Sequence, residues 1–97
     1  MEASQVTQQL ESLKNDWQLD DSGTVILFDF KFKDYYQTIS FVNSLAWIAN
    51  QQDHHPDLEV GYNHCLVKYS THSLNALSDK DFTCAHLIEA LFNQAAD

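Results

Sequence analysis

The residues best suited to acid–base chemistry are histidines in two short segments that a predicted β-hairpin separates. One segment is Asp53-His54-His55-Pro56, and the other is Ser70-Thr71-His72. Imidazole is the side chain that most readily takes up and releases protons near neutral pH. If the fold brings the two segments together, they can supply both a general acid and a general base to one bound molecule.

The stretch between these segments reads as two short strands around a turn. A turn centred on Asn63 pairs residues whose numbers sum to 2 × 63 = 126. This register places His54 opposite His72, and His55 opposite Thr71. It therefore predicts that three imidazoles meet at the open end of the hairpin.

Hydrophobic periodicity predicts the elements that must position these residues. They are a helix capped by Ser4, strands at 17–19 and 24–32, a helix at 35–51, a hairpin at 58–70, and a last helix capped by Ser78. The order α-β-β-α-β-β-α indicates one α+β domain over residues 1–97. We expect two layers, with three helices on one face of a four-stranded, mostly antiparallel sheet.

The helix predicted at 35–51 has a broad apolar stripe that should face the core, and this stripe includes Tyr35. Tyr36 and Trp47 fall together on its opposite, polar side. Exposed aromatic side chains indicate a contact with another subunit, although single exposed aromatics are also common. Because a one-sided sheet also leaves a face open, we expect a homodimer or a homotetramer.

Composition limits the partners and the compartment. The net charge is −9, from 14 acidic and 5 basic residues, which disfavours nucleic acid and anionic membrane surfaces as partners. No apolar run has membrane-spanning length, and the first residues do not resemble a signal peptide. Cys65 and Cys84 both fall in apolar patterns, so we expect buried free thiols in a reducing cytoplasm.

A metal site is the competing use of clustered histidines. The chain has no CxxC and no HExxH motif, and Cys65 falls near the far end of the hairpin from His54. Adjacent His54 and His55 are awkward joint ligands for one ion. The sequence therefore favours a site with no metal and no cofactor. His64, in the predicted turn, and His86, on a polar helix face, are expected to be ordinary solvated residues.

The stretch DHHPDLEVGYNHCLVKYSTHSLNALSDKD resembles the signature of the pterin-4a-carbinolamine dehydratases. The preceding FDFKFKDY is similar to the strand-to-helix junction of that family, so the resemblance runs from about Phe28 onward. One position departs from the pattern: the family usually has an acidic residue four positions before the first histidine, where this chain has Asn50. An amide cannot exchange a proton as a carboxylate does.

The resemblance implies a hydro-lyase that dehydrates 4a-hydroxytetrahydropterin to quinonoid dihydropterin and so supports tetrahydropterin recycling. With this reaction, our hypothesis is that His54 and His72 are the catalytic acid–base pair, and that His55 positions the pterin and partly shares the proton transfer. Asp81 would orient or charge-stabilise a histidine, or would only compensate the helix dipole. The expected substrate-binding residues are Asp53, Pro56, Ser70 and Thr71.

The same resemblance leaves non-enzymatic alternatives open. Some members of the family act as dimerisation cofactors for a homeodomain transcription factor and bind through helices. The side of the helix that carries Tyr36 and Trp47 would suit such a partner. A protein that binds pterin but turns it over slowly, because of Asn50, is a further alternative.

Overall fold

The computed structural model describes residues 1–95 and confirms the expected order of elements. They are α1 (Ala3–Ser12), β1 (Gln18–Leu19), β2 (Ile26–Lys31), α2 (Tyr35–Gln52), β3 (Asp57–Val60), β4 (His64–Tyr69) and α3 (Asp79–Ala95). The strands form one sheet in the order β1-β2-β4-β3, and every neighbouring pair is antiparallel. The α+β class is therefore confirmed.

The core lies between the helices and one face of the sheet. Alternate residues of a strand point to opposite faces, so Phe30 of β2 and its partner Cys65 of β4 face the same side. The neighbouring pair Phe28 and Val67 does so too. Side chains from α2 and α3 complete this core, including Phe41, Leu45, Ala49, Phe82, Ala85 and Ile88.

The β3–β4 register is one residue away from the predicted one. Val60 pairs with Cys65, and Asp57 pairs with Lys68, so partners sum to 125 rather than 126. The turn is centred between Tyr62 and Asn63 instead of on Asn63. Continued past the strand ends, this register places His54 opposite Thr71, because 54 + 71 = 125. The predicted pairing of His54 with His72 is therefore wrong.

Tertiary contacts hold the turn in this position. The Thr38 hydroxyl of α2 is buried and shares its one hydrogen between the Tyr62 carbonyl at 2.9 Å and the Asp34 carbonyl at 2.8 Å. The Phe32 N–H donates to the Asn63 carbonyl at 2.8 Å. The bonds to the Tyr62 and Asn63 carbonyls join the turn to distant parts of the chain, so no local turn signal in the sequence could have indicated them.

Two details at helix starts also differ from expectation. Tyr35 was expected in the core, but it is 55% exposed and stacks on Tyr62 with ring centroids 6.4 Å apart. The N-cap of α1 is Glu2 rather than Ser4, and its N–H donates to the Gln5 side chain at 2.9 Å.

Both cysteines are free and buried, as predicted. Burial raises the pKa of the Cys65 thiol to about 11, with a further contribution from the Asp29 carboxylate. Burial also raises the pKa of Cys84. The thiols are therefore protonated and unreactive near neutral pH. Across residues 1–95, none of the helices combines the length and apolar character that a membrane span requires.

Candidate active site

The end of α2 directs His54 into the molecule. Asp53 adopts the left-handed conformation (φ 50°), which Asp tolerates better than most residues, and it ends the helix. The following His54 N–H still donates to the Ala49 carbonyl at 3.1 Å. Pro56 disfavours helical geometry at His55, so the chain leaves α2 in an extended form that leads into β3. The visible role of Asp53 is thus to turn the chain at this point.

The centre of the site is an imidazole–carboxylate pair. His54 Nε2 lies 2.6 Å from Asp81 Oδ1. The Asp81 side chain is completely buried, and the His54 side chain is 11% exposed. A carboxylate in this position fixes the orientation of the ring.

The second oxygen of Asp81 has partners of its own. Oδ2 accepts from the Thr71 hydroxyl at 2.8 Å and from the Ser78 N–H at 2.9 Å. The Thr71 and Ser78 hydroxyl oxygens lie 2.6 Å apart. Asp81 also lies in the first turn of α3, where the helix dipole favours negative charge. The buried carboxylate therefore has the partners that a buried charge requires.

Tyr69 holds His54 from the core side. Its ring stacks on the imidazole with centroids 5.4 Å apart and an interplanar angle of 15°. The phenol hydroxyl donates to the His54 carbonyl at 3.1 Å. Burial raises the pKa of the Tyr69 phenol, so it remains a neutral donor. The imidazole is thus fixed by a bond at one nitrogen and by a parallel ring.

The other ring nitrogen of His54 is open. Nδ1 makes no hydrogen bond to the described chain, and no buried side-chain nitrogen or oxygen of the described residues lacks a partner. It follows that Nδ1 reaches the molecular surface. A bound molecule can therefore exchange a proton with this atom while Nε2 stays on Asp81.

The His55 side chain lies outside the His54–Asp81 network. It is exposed, and its Nε2 lies 3.4 Å from Oδ1 of Asn50 in the last turn of α2. His55, Pro56 and Asn50 line a cleft of about 750 Å³ that runs along α2 past Trp47. This volume falls within the range of small-molecule sites, which is ~300–1,000 Å³.

The residues of the second histidine segment, Ser70-Thr71-His72, lie partly in the buried Asp81 network and partly at the exposed surface. Thr71 is buried, and its hydroxyl belongs to the Asp81 network. Its N–H and carbonyl bond to Ala76 at 3.0 and 3.5 Å, so its main chain is already engaged. His72 is exposed and forms no side-chain hydrogen bond within residues 1–95. Ser70 is half-buried.

The structure thus joins three of the predicted site residues directly: His54, Thr71 and Asp81. It adds two that were not predicted as site residues, Ser78 and Tyr69. Ser78 was recognised only as a helix cap, although the spacing Ser-x-x-Asp before an apolar run is the signal of a cap whose acid bonds back to the chain. Tyr69 alternates with Cys65 and Val67 on the core face of β4, and this periodicity could have placed it beside the site.

His64 is not the freely solvated turn residue that was expected. It begins β4, is half-buried, and its Nδ1 lies 3.0 Å from Oδ1 of Asp29. A Cβ added at Gly61 would lie 2.3 Å from the His64 ring, so a larger residue there would displace that ring. Within residues 1–95, no three His, Cys, Asp or Glu side chains form a group that could hold a metal ion.

The two-layer α+β domain thus holds a buried carboxylate bonded to the half-buried imidazole of His54, and the next residue, His55, lines a cleft. The family model described as pterin 4 alpha carbinolamine dehydratase matches residues 1–91. The chain belongs to this family. The resemblance inferred from Phe28 onward is confirmed and extends across the first helix.

Relatives support the same family. A protein of Legionella pneumophila (strain Corby) with the provisional name pterin-4-alpha-carbinolamine dehydratase is 45% identical over 91 residues, covering 94% of this chain and 80% of that protein. One from Nitrosomonas eutropha with the same provisional name is 50% identical over 82 residues, covering 84% of this chain and 71% of its own length.

Two solved structures share the fold. The transcriptional coactivator/pterin dehydratase from Brucella melitensis has a TM-score of 0.88 and 32% identity, covering 93% of this chain and 95% of that one. A pterin dehydratase-like protein described as a RuBisCO assembly factor in the alpha-carboxysome has a TM-score of 0.70 and 20% identity, covering 80% and 90%. At that identity the second likeness concerns the fold alone.

Proposed function

We propose that this protein dehydrates 4a-hydroxytetrahydropterin to quinonoid dihydropterin by histidine acid–base catalysis. The observation that carries the proposal is the His54–Asp81 pair, which leaves Nδ1 of His54 as the open nitrogen. Family membership supports the substrate class. The product is the oxidised form that a tetrahydropterin recycling reaction would take up, and the buried free thiols suit a reducing cytoplasm.

The reaction needs two proton transfers and no change of electron count. The C4a–O bond breaks as an acid protonates the departing hydroxyl, which leaves as water. A base removes a proton from a ring N–H, and that electron pair forms the new C=N bond. Each of these transfers is worth ~10²–10⁴-fold in rate when a positioned side chain performs it.

His54 and His72 are the proposed acid–base pair. His54 acts through Nδ1, and Asp81 holds the ring and stabilises the imidazolium that forms when the proton is on His54. His72 follows Thr71, whose hydroxyl binds the same carboxylate, and its exposed ring is available to a bound pterin. Asp81 is a positioning residue in this scheme, because the imidazole lies between it and the substrate.

The proposed seat of the pterin ring is the end of the cleft beside α2 that is nearest His54; His55 lines this cleft, whereas His54 and His72 do not. His55 positions the ring from one wall, next to Pro56. Asn50 accepts or donates a hydrogen bond there but cannot share the proton transfer. Asp53 and Ser70 are the first residues of the two histidine segments, and there they can bind polar edges of the pterin.

Dehydration of chemically generated carbinolamine, followed by absorbance, tests the proposal. We expect His54→Ala and His72→Ala to lower kcat by ~10²-fold or more each, and His55→Ala to raise KM more than it lowers kcat. His86→Ala is the matched control, because His86 is an exposed histidine on α3 whose contact is with Ser12. A His54→Ala variant as fast as the control would remove His54 from the acid–base role.

A second candidate function is protein binding through α2. Tyr36 is 81% exposed and Trp47 is 65% exposed, and both lie on the side of α2 away from the core. Large aromatic side chains of this kind are enriched where proteins meet. We propose that this face joins two or four copies of the chain, or binds a separate protein as a dimerisation cofactor does.

Sedimentation of the purified protein tests whether this face of α2 joins copies of the chain. We expect an oligomer that Tyr36→Ser together with Trp47→Ser dissociates. Leu74→Ser is the control, because Leu74 is about as exposed as Trp47 but lies outside α2. A monomeric wild-type protein that keeps full dehydratase activity would contradict self-association and leave the proposed reaction untouched.

A further inference from the structure

A second cavity of about 480 Å³ opens where the end of β2 meets α2 and the last turns of α3. It is lined by Lys31, Phe32, Lys33, Tyr36, Gln37, Ser40, Phe41, Ser44, Leu91 and Phe92. None of these residues belongs to the His54 network or to the cleft beside His55. The volume is large enough for a small organic ligand.

This cavity lies at the opposite end of the sheet from the candidate active site. Lys31 at its rim pairs with His64, the first residue of β4, whereas Tyr69, which stacks on His54, is the last. Five residue steps along β4 span roughly 17 Å at ~3.3–3.4 Å each. A ligand here would therefore not touch His54.

The floor of the cavity is aromatic. Phe32, Phe41 and Phe92 pack with ring centroids 5.0, 5.5 and 6.1 Å apart. Phe32 and Phe92 are only half-buried, so they still present ring surface to the opening. A planar aromatic group can pack edge-on or offset against such rings.

The charged residues that line this cavity are all basic, whereas the chain as a whole has a net negative charge. The chain has 14 acidic residues and 5 lysines or arginines, but no acidic residue and two lysines line the cavity. Lys31 bonds to Asp29 at 2.9 Å. Among residues 1–95, Lys33 has no carboxylate partner, and its N–H donates to the Gln37 side chain at 3.2 Å. Lys33 is thus an ammonium group available to an anion.

We propose that this cavity binds a small aromatic carboxylate, with the ring against the phenylalanines and the carboxylate at Lys33. The apolar floor selects the ring, and the ammonium at the rim selects the anion. An aromatic amine fits the floor equally well but brings its positive charge to Lys33. The site is independent of the dehydratase chemistry, since no residue is common to both.

Titration with 3-phenylpropionate, followed by amide chemical shifts in NMR, tests the proposal. We expect a Kd on the order of 1 mM, typical of a ligand with so few heavy atoms, and shifts confined to the residues that line the cavity. We expect 3-phenylpropylamine, which has the same ring and the opposite charge, to bind at least about tenfold more weakly.

Two variants examine the two halves of the site. Lys33→Gln should weaken 3-phenylpropionate binding about fivefold to tenfold, whereas Lys80→Gln, an equal change of charge on the exposed start of α3, should not. Ser44→Leu should abolish binding by filling the cavity from the exposed side of α2. Thr83→Leu, an equally bulky change at an exposed site on α3, should leave it intact.

Three results would overturn the inference. One is a set of shifts centred on His54 and Asp81 instead of the cavity. Another is equal affinity for the acid and the amine, and the third is Lys33→Gln binding as tightly as Lys80→Gln. Tyr36 both lines this cavity and belongs to the α2 face proposed to join copies of the chain, so an oligomer that covers the cavity would give no shifts at up to 10 mM ligand, roughly ten times the expected Kd, and would also overturn the inference.

Discussion

Helix α3 carries two buried carboxylates whose surroundings differ in one decisive respect. Asp81 is completely buried in the first turn, and Glu89, a little over two turns later, is 3% exposed. Both accept several hydrogen bonds, as buried charges must. The partners of Asp81 include an imidazole, whereas the identified partners of Glu89 are all N–H groups that neither gain nor lose protons.

Glu89 fastens the segment that joins α1 to β1. Its Oε2 accepts from the Lys14 N–H at 2.7 Å, and Oε1 accepts from the Asn15 N–H at 3.0 Å and from the Trp17 indole at 3.1 Å. These donors have fixed polarity, so none of these partners can pass a proton to or from another molecule. The two carboxylates are similarly buried and differ in the character of their partners, and this difference is the basis for proposing a chemical role for Asp81 and a structural role for Glu89.

The largest expected effect is on activity, from Asp81→Asn. The amide oxygen can still accept from Thr71 and Ser78, so the amide NH₂ must face His54 Nε2. The imidazole can adapt by moving its own proton to Nδ1, which keeps the fold but leaves the open nitrogen as a donor. We expect kcat to fall by ~10²-fold or more while stability changes by only ~1 kcal/mol.

The tautomer provides a readout that a merely structural role would not move. Long-range ¹H–¹⁵N spectra of the imidazole should report Nδ1–H in Asp81→Asn and Nε2–H in the neutral wild-type ring. Dehydration with near wild-type kcat in a variant that carries Nδ1–H would show that Asp81 does not position His54 for catalysis.

The next largest effect is on stability, from Glu89→Gln. One amide oxygen can serve Asn15 and Trp17, but the amide NH₂ must then meet the Lys14 N–H, a donor that cannot reverse its role. We expect a loss of ~2–3 kcal/mol in the free energy of unfolding, measured with urea. Because none of the hydrogen-bond partners of Glu89 belongs to the His54–Asp81 network, kcat should stay within about twofold of wild type.

Glu11→Gln is the control, since Glu11 is exposed on α1 and loses the same charge. If Glu89→Gln unfolds at the same urea concentration as this control, the buried bonds contribute nothing. We expect Asp81→Asn to be slow but stable, and Glu89→Gln to be fast but unstable. This opposite pattern would support separate roles for the two carboxylates.

The sequence predicted the order of elements because that order follows from local patterns of apolar residues. It also placed Asp81 beside a histidine, through the family resemblance. It did not predict the register of the hairpin, because the turn is fixed by Thr38 and Phe32, which lie far from it in the chain. A one-residue error moves every side chain of a strand to the other face.

That error explains why His72 was expected opposite His54. In the observed register Thr71 shares the core face with Tyr69 and reaches Asp81, whereas His72 faces outward. Glu89 could not be assigned from the sequence for a similar reason. Its partners lie at positions 14–17, more than 70 residues away, and two of them are backbone groups that no sequence pattern identifies.

Removing one donor from Asp81 should give an intermediate effect. Thr71→Val keeps the shape of the side chain but deletes the hydroxyl that bonds to Oδ2. Since the Ser78 N–H and His54 remain, we expect a loss of ~1–1.5 kcal/mol in stability. A looser carboxylate should also lower kcat, by roughly threefold to tenfold. Thr83→Val, at an exposed site on α3, is the control, and equal kcat in the two variants would contradict the prediction.

Removing one donor from Glu89 should give the smallest effect. Trp17→Phe deletes the indole N–H but keeps an aromatic ring against Phe28 and Phe30, whose centroids lie 5.9 and 5.8 Å from that of Trp17. Glu89 retains both backbone donors, so we expect a loss of ~1 kcal/mol in urea unfolding. In contrast to Thr71→Val, kcat should not change, because none of the identified hydrogen-bond partners of Glu89 takes up or releases a proton. A fall in kcat comparable to that of Thr71→Val would mean that the two ends of α3 are coupled and that the two carboxylates do not have separate roles.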